Sequence, residues 1–290
     1  MSRLLAAVLL AAIAIVGPAA AAPPTGLQKN PHEPPPVPPA IAGQGYKLVK
    51  NWDFGVTVKT LDDLHREFYT RFVYENGRLD HLAGNGEWER YRDADNHRIA
   101  GNVLELIARA PRGLTEGAIE SGMLRSKWTG EYGYFECRMK VPRGRGLWPA
   151  FWLNPEDAHW PPEIDIVEIV NNGRDTTRNS FHNVHPGRPG DASDVATKLD
   201  RWGSYRPNFD YADGFHTFAV KWTQDRVIHY VDNVEIAERR FVWRHESGRD
   251  AGPAHVLLNL AVGGKWPEPP TDPGEFPAVL QVDYVRIWQK

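Results

Sequence analysis

Three carboxylates stand close together in one short apolar stretch of the chain, at Glu163, Asp165 and Glu168. Three tryptophans come just before them, at Trp148, Trp152 and Trp160. Paired carboxyl groups can break a glycosidic bond, because one protonates the leaving oxygen while the other attacks the anomeric carbon or activates water. Indole faces offer a large apolar surface against which a pyranose ring can pack. Together these residue types predict a site that cuts a sugar chain.

The spacing of the carboxylates indicates a strand with one irregularity. Isoleucine and valine fill the positions between and after them, and β-branched residues favour a strand. Side chains alternate between the faces of a strand, so Glu163 and Asp165 share a face, whereas Glu168 would point away. One β-bulge between Asp165 and Glu168 returns Glu168 to that face. The two glutamate carboxyls could then approach to about 5 Å, the separation of a glycosidase that retains anomeric configuration.

The alternative is that these are three solvated carboxylates on an exposed strand. Their apolar neighbours argue against it, because exposed strands rarely carry Ile-Asp-Ile-Val-Glu-Ile-Val. A carboxylate beside another negative charge resists ionisation, so one member of the group should keep a raised pKa and act as an acid.

The sequence around these residues resembles glycoside hydrolase family 16. EIDIVE matches that family's E-x-D-x-x-E signature in the bulged form, which is typical of laminarinases and agarases. Gly146–Leu153 is similar to the segment that precedes the signature in laminarinase-like members. Leu257–Trp266 and Val282–Trp288 are similar to the family's closing strands. The resemblance extends from about Asn51 to Lys290.

The resemblance implies roles for the acidic residues. Glu163 would be the nucleophile, Glu168 the acid/base and Asp165 the assistant between them. It also implies a histidine on the neighbouring strand close to the three acids, and His182 is the best match. His185 is three residues further on, so we expect it on the other face, and a strand would not bring the two histidines together on a metal.

The resemblance and the position of the aromatic residues also predict substrate contacts. The predicted sugar-binding residues are Trp148, Trp152, Trp160, Trp266, Trp128, Asn85, Glu87, Arg125 and Asn259. For the last four, an ordinary structural role is an equal alternative, and Gly86 stands where laminarinases usually have a second asparagine. We expect Trp222 and Trp288 to pack in the core or on the convex face.

No cofactor is expected for catalysis. Many family members hold a structural calcium through an aspartate of the last strand and backbone carbonyls, and oxygen ligands of this kind suit a hard cation. Asp283 is the corresponding residue, so the resemblance raises a structural Ca²⁺ there as a hypothesis.

The chain divides into three parts. Residues 1–22 have the composition of a signal peptide, with Arg3, an apolar core and small residues up to a cleavage site near Ala22. Residues 23–45 form a Pro-rich linker or tail, and residues 46–290 suit one catalytic domain. We therefore expect a protein secreted to the periplasm or beyond, with no membrane span because the apolar core is too short.

Most of residues 46–290 consists of short apolar runs separated by turns, which predicts an all-β antiparallel sandwich. The resemblance implies a concanavalin A-like jelly roll whose concave sheet forms the substrate cleft. Asp232 and Asn233 predict a hairpin turn, and a helix is predicted over Leu61–Phe72 behind Thr60. The predicted strands are Asn102–Arg109, Tyr132–Val141, Leu147–Leu153, Ile164–Val170, Phe215–Trp222, Arg226–Val231, His255–Val262 and Leu280–Trp288.

The formal net charge is −3 without long charged blocks, which argues against nucleic acid as a partner. The single cysteine, Cys137, lies in an alternating strand pattern and is expected to be a buried thiol. We expect a monomer whose partner is a polysaccharide.

The leading functional prediction is a secreted, retaining endo-β-glucanase that cuts β-1,3 or mixed β-1,3-1,4 linkages. Within the same enzyme class, a galactan hydrolase and a succinoglycan-like exopolysaccharide depolymerase stay open, the latter because WPPEIDIVE lacks the glycine common before the first glutamate. A transglycosylase would share the covalent intermediate. A non-catalytic carbohydrate-binding jelly roll is the rival from another class, and the intact acid group argues against it.

Overall fold

A computed structural model describes residues 34–72 and 80–290. The predicted signal peptide and residues 23–33 of the Pro-rich segment lie outside these residues, so the boundary between them stays a prediction. Across the described ranges, no helix is long and apolar enough to cross a membrane.

Strands are the main regular secondary structure of the described chain, which has one short α-helix. The strands before the acidic stretch are β1 (Lys47–Asp53), β2 (Phe68–Tyr69), β3 (Glu89–Tyr91), β4 (His97–Ala100), β5 (Val103–Ala108), β6 (Ile119–Ser121), β7 (Met123–Gly130), β8 (Gly133–Lys140) and β9 (Leu147–Pro155). Those from the acidic stretch onward are β10 (Glu163–Glu168), β11 (Ser180–His185), β12 (Ala192–Thr197), β13 (Ser204–Tyr205), β14 (His216–Trp222), β15 (Arg226–Val231), β16 (Val234–Phe241), β17 (Ala254–Val262) and β18 (Ala278–Gln289). The helix is α1 (Leu61–Glu67), and single 3₁₀ turns occur at Pro39–Ile41, Ala83–Asn85, Ala94–Asn96 and Pro273–Glu275.

Two large antiparallel sheets face each other. The seven-stranded sheet has the order β13-β11-β10-β9-β17-β7-β2. The nine-stranded sheet has the order β12-β16-β15-β14-β8-β18-β5-β4, and β1 also pairs with β18. Strand β10, which carries the three acids, lies inside the seven-stranded sheet between β9 and β11. The predicted antiparallel sandwich is confirmed.

The core fills the space between the sheets. Phe135, Phe151, Phe218, Trp222 and Leu258 are all buried there. They come from alternate positions of their strands, because one face of each strand points to the opposite sheet. The opposite face of β9 and β10 is therefore free to carry the acids and tryptophans.

A second apolar layer covers part of the outer face of the nine-stranded sheet. Ile41, from the Pro-rich segment, packs there against Tyr134, Tyr230 and Trp288. The prediction that Trp222 and Trp288 are packing residues is confirmed, as is the burial of Cys137.

The helix is shorter than predicted. The apolar spacing predicts a helix over Leu61–Phe72, whereas α1 ends at Glu67. Its start is as expected, because Thr60 and Asp63 form a reciprocal capping box. Phe68 is already extended and pairs as part of β2 with β7, and its side chain is buried in the core. Pairing with the sheet therefore ends the helix, although the buried residues keep a helical spacing.

The predicted hairpin is confirmed at the end of β15. Asp232 and Asn233 have φ angles of 47° and 64°, so both lie in the left-handed region that a type I′ turn requires. This turn connects β15 directly to β16. The eight predicted strands correspond to β5, β8, β9, β10, β14, β15, β17 and β18.

Candidate active site

An open cleft of about 980 Å³ lies on the face of the seven-stranded sheet that points away from the core. Its floor comes from β9, β10, β11 and β17, and its sides come from residues 82–87 and 157–160. The lining residues that the sequence predicts are Glu163, Asp165, Glu168, Trp148, Trp152, Trp160, Trp266, Asn85, Glu87 and Asn259.

The predicted β-bulge is present in β10. Asp165 lies opposite Trp152 of β9, and Glu168 lies opposite Ala150, so three steps along β10 match two along β9. The pairing with β11 shifts at the same place, between Asp165 and Glu168. The extra residue turns Glu168 back to the face that carries Glu163 and Asp165, because a regular strand would have alternated. All three acids line the cleft.

Glu168 has a different polar partner from Glu163 and Asp165, which are both close to His185. Glu168 accepts a hydrogen bond from the indole nitrogen of Trp148 at 3.0 Å. Asp165 Oδ2 lies 3.0 Å from Nε2 of His185, and that nitrogen is 3.7 Å from Glu163 Oε1. Because these partners differ, the carboxyl groups have different surroundings in spite of their proximity.

Burial raises the pKa of both glutamates, and the charge of Asp165 raises each further. The indole of Trp148 opposes this for Glu168, because a hydrogen bond to the charged form lowers the pKa. The group therefore keeps a proton at a pH at which exposed glutamates have lost theirs. Such a group can contain an acid and an ionised carboxylate together.

The structure corrects the prediction for the histidines. His182 is fully buried away from the cleft, where its ring bonds to the Ile166 carbonyl oxygen at 2.6 Å and to the Ser180 hydroxyl at 2.8 Å. His185 is the histidine that reaches the acids. The register decides this, because Glu163 pairs with His185, and paired residues of antiparallel strands share a face.

The four predicted tryptophans of the cleft differ in exposure. Trp152 is a buried floor residue, whose indole nitrogen donates to Asn259 at 2.8 Å. Trp148 and Trp266 are half-buried, and their rings meet edge to face at 5.5 Å between centroids. Trp160 is 60% exposed and its ring lies 5.9 Å from that of His185. Trp160 therefore has the most accessible indole surface of these four.

Asn85 and Glu87 form one side of the cleft. The amide of Asn85 donates to Glu87 at 3.0 Å, and the backbone nitrogen of Leu82 donates to the same carboxylate. Asn259 lies in the floor, where its amide donates to the Tyr91 hydroxyl at 3.0 Å. These groups support the cleft surface as well as lining it.

Two predicted substrate contacts lie outside the cleft. Arg125 hydrogen-bonds His255 and lies over the ring of Tyr69, with 5.5 Å to its centroid. Trp128 packs against Trp52 and Phe135, at 6.2 and 6.4 Å between ring centroids. Trp128 falls where the register between β7 and β17 shifts, between Arg125 and Thr129, and its side chain packs toward the core instead of lining the cleft.

The cleft contains functional candidates that the sequence reasoning missed. Asn183 pairs opposite Asp165 and hydrogen-bonds Glu168. Asp157 and His159 come from the loop before β10 and line the cleft beside Trp160. Asn183 could have been found by applying the alternation of β11 once His185 was placed, whereas the loop residues carry no comparable pattern.

The Asp283 carboxylate is buried, and its Oδ2 forms an ion pair with the guanidinium of Arg138. Across residues 34–72 and 80–290, one group of three side chains has metal-ligand spacing, formed by Glu163, Asp165 and His185. A structural Ca²⁺ at Asp283 stays a hypothesis.

We expect the contact between His185 and Asp165 to make stability depend on pH. The hydrogen bond to Asp165 raises the pKa of His185 above its usual value of about 6.5. Relative to His185→Gln, the wild-type chain should be more stable below about pH 6.5, and lose this advantage as the pH rises through the raised pKa. Because the side chain is 45% exposed, the gain should be under about 1 kcal/mol, or about 1–3 °C in Tm.

Thermal melts of both proteins from pH 5 to pH 9 measure this difference. A difference in Tm that does not change with pH would contradict the titration and leave only a packing role for His185.

Known proteins share both the sequence and the fold. The family model described as glycosyl hydrolases family 16 matches residues 87–284. The beta-glucanase of Rhodothermus marinus is 34% identical over 228 residues, which cover 72% of this chain and 76% of that protein. The endo-1,3-1,4-beta-glycanase EglC of Rhizobium meliloti (strain 1021) is 36% identical over 223 residues, which cover 71% of this chain and only 44% of EglC.

The laminarinase structure from Flavobacterium sp. UMI-01 superimposes with a TM-score of 0.64 at 26% identity, covering 84% of this chain and 100% of that one. The match to the family model spans more than half of the chain and includes all three acids of β10. The chain therefore belongs to glycoside hydrolase family 16 and is a glycoside hydrolase.

Proposed function

We propose that this protein is a secreted, retaining endo-β-glucanase that hydrolyses internal β-1,3 or mixed β-1,3-1,4 linkages. The observation that carries the proposal is the bulge of β10, because it turns Glu163 and Glu168 to one face of an open cleft. A cleft that is open along its length accepts the interior of a polymer. The names of the relatives, a beta-glucanase and a laminarinase, support glucan as the substrate.

In the first step, the carboxylate of Glu163 attacks the anomeric carbon while Glu168 gives its proton to the leaving glycosidic oxygen. The C–O bond to the leaving sugar breaks as the bond to Glu163 forms. In the second step, Glu168 takes a proton from water, and the resulting hydroxide attacks the anomeric carbon and releases Glu163. Asp165, between them, acts through its charge.

The surroundings support this division of roles. His185 lies beside Glu163 and Asp165, and its positive form favours the ionised state of Glu163. Trp160 also hydrogen-bonds Glu163. Burial and the charge of Asp165 raise the pKa of both glutamates, so the nearby His185 is what distinguishes Glu163 from Glu168.

The role of Glu168 as the acid can be tested through Trp148. Replacing Trp148 with phenylalanine removes the hydrogen bond that lowers the pKa of Glu168, so this pKa should rise. Because Glu168 must be protonated, the basic limb of the kcat/KM profile should move to higher pH. A pH–rate profile on a soluble glucan measures the limb.

Trp266→Phe is the matched control, because Trp266 packs on Trp148 and its substitution leaves the indole donor to Glu168 in place. The assignment of Glu168 as the acid is wrong if the basic limb of the kcat/KM profile stays in place or moves to lower pH in Trp148→Phe.

An exopolysaccharide depolymerase is the second candidate. The relative EglC, at 36% identity, is named an endo-1,3-1,4-beta-glycanase, a broader term than glucanase. The mechanism would be unchanged, and only the sugars on either side of the cut would differ.

A reducing-sugar assay on laminarin, lichenan, agarose and succinoglycan tests the substrate, with Glu163→Ala as the blank. Release from laminarin, with or without lichenan, is the expected result. Release from agarose or succinoglycan alone would contradict the glucan assignment and keep the enzyme class. Product sizes in the same reactions separate hydrolysis from transfer to a sugar acceptor, because transfer makes products longer than the starting oligosaccharide.

Secretion rests on the composition of residues 1–22. Expression in a bacterial host followed by intact-mass measurement of the exported protein tests it. The expected mass corresponds to loss of the residues up to about Ala22, and an uncleaved protein retained in the cytoplasm would contradict the proposal.

A further inference from the structure

The loop before β13 lies against the end of the cleft. Strand β13 pairs with β11 at the edge of the seven-stranded sheet, with Ser204 opposite Phe181. One step further, the backbone nitrogen of His182 donates to the carbonyl oxygen of Gly203 at 2.9 Å. Trp202 directly precedes Gly203 in a turn that the Gly203 nitrogen closes by donating to the Asp200 carbonyl oxygen at 3.0 Å.

Gly203 packs closely on the side chain of Asn183. Its φ is +79°, and a Cβ at this position would collide with Oδ1 of Asn183. Asn183 lines the cleft and hydrogen-bonds Glu168. The loop that carries Trp202 is therefore on the cleft side of β11, in direct contact with a residue that contacts the acids.

Trp202 is exposed although its backbone is held in place. It is 67% exposed, the highest value among the large exposed apolar residues of the described chain. The carboxylate of Asp200 accepts from the backbone nitrogens of Trp202 at 2.8 Å and Ser204 at 3.0 Å. The guanidinium of Arg201 lies over the indole, 4.8 Å from the ring centroid, and supports the ring from one side.

We propose that Trp202 is an outer sugar-binding platform, which extends the cleft beyond Asn183 and holds a pyranose ring of the polysaccharide outside the residues that surround the cut. This inference rests on the proposed function, since the occupant is the continuation of the same sugar chain. Continuity with the cleft points to this occupant, because the row Trp152, Asp165 and Asn183 crosses the sheet from strand to strand. It ends at Asn183, against which Gly203, the residue after Trp202, packs.

The surroundings fit an apolar sugar face. A tryptophan at this exposure leaves indole surface in water, which a pyranose ring with its axial hydrogens can cover. The hydrogen-bonded turn from Asp200 to Ser204 fixes the loop backbone before the ligand arrives, so binding costs little ordering entropy. The platform should therefore matter only for chains long enough to reach it.

The test compares substrates of two lengths. We expect Trp202→Ala to lower kcat/KM on laminarin by about three- to tenfold relative to kcat/KM on a nitrophenyl trisaccharide. Trp202→Phe should recover most of the loss, because it restores an aromatic face. Val234→Ala, at an exposed residue of the β15–β16 hairpin in the other sheet, is the matched control.

Affinity electrophoresis in laminarin gels measures binding without turnover. It compares the inactive variant Glu163→Gln with the double variant that also carries Trp202→Ala. The affinity for laminarin should fall by about the same three- to tenfold in the double variant, and its Tm should equal that of Glu163→Gln. Equal losses of kcat/KM on both substrates, or no loss on either, would overturn the platform, as would a Trp202→Phe variant as poor as Trp202→Ala.

Cleavage of laminarin by the wild-type enzyme is a separate result, which bears on the proposed function. If the wild type cuts another polymer, the same length comparison is made with that polymer and its oligosaccharides.

Discussion

Replacing Glu163 with alanine should lower kcat by roughly 10⁴-fold or more, while the protein still binds polysaccharide. The change removes the atom that forms the bond to the anomeric carbon, and leaves Trp152, Trp160 and the rest of the cleft in place. The fold should survive, because Glu163 and Asp165 repel each other and the change removes that repulsion. Initial rates, retardation in a polysaccharide gel and Tm measure the three effects.

Azide gives this variant a distinctive product. In Glu163→Ala a small anion can occupy the space of the lost carboxylate and attack the anomeric carbon from the same side. On a nitrophenyl glycoside, the C–O bond to nitrophenolate breaks as the bond to azide forms, so the glycosyl azide should have inverted configuration. NMR of the product determines the anomer.

Glu116→Ala is the matched control, because it removes a glutamate that is exposed and outside the cleft. It should retain wild-type rates. An active Glu163→Ala enzyme would remove Glu163 from the role of nucleophile.

Replacing Glu168 with alanine should lower kcat on polysaccharide by about 10²- to 10⁴-fold, the range that general acid–base catalysis contributes. A nitrophenyl glycoside should still form the covalent intermediate, because nitrophenolate leaves without a proton. The intermediate then accumulates, since no base activates water for the second step. A burst of nitrophenolate followed by a slow phase is the expected time course.

Azide should accelerate the slow phase of Glu168→Ala and yield a glycosyl azide of retained configuration, because it attacks the intermediate from the side opposite Glu163. The two variants thus predict opposite anomers from the same reagents. If the anomers were exchanged, the nucleophile and the acid/base would have to be exchanged as well. If Glu168→Ala gave no rescue and an inverted sugar, the retaining mechanism would be wrong.

Local sequence patterns are enough to predict the strand that carries the three acids. The alternation of acids and β-branched residues in EIDIVE fixed the face of Glu163 and Asp165, and required one bulge to bring Glu168 to it. The eight predicted strands, the hairpin at Asp232 and the tryptophans of the cleft floor followed from the same local patterns. Such features depend on neighbours in the chain, so a single sequence contains the information they need.

Contacts between distant parts of the chain determine which residues of other segments reach the acids. His182 and His185 differ by three positions, and the register between β10 and β11 chose His185. Trp128 packs toward the core at the place where the register between β7 and β17 shifts, and Asp283 forms an ion pair with Arg138.

Contacts between distant segments also set where α1 ends and which loop lies next to the cleft. α1 stops at Glu67 because Phe68 pairs with β7, and the loop of Trp202 packs against Asn183 because Gly203 allows the close approach. In each case a contact between distant parts of the chain sets the direction of a side chain, and a one-residue change of register would have reversed it.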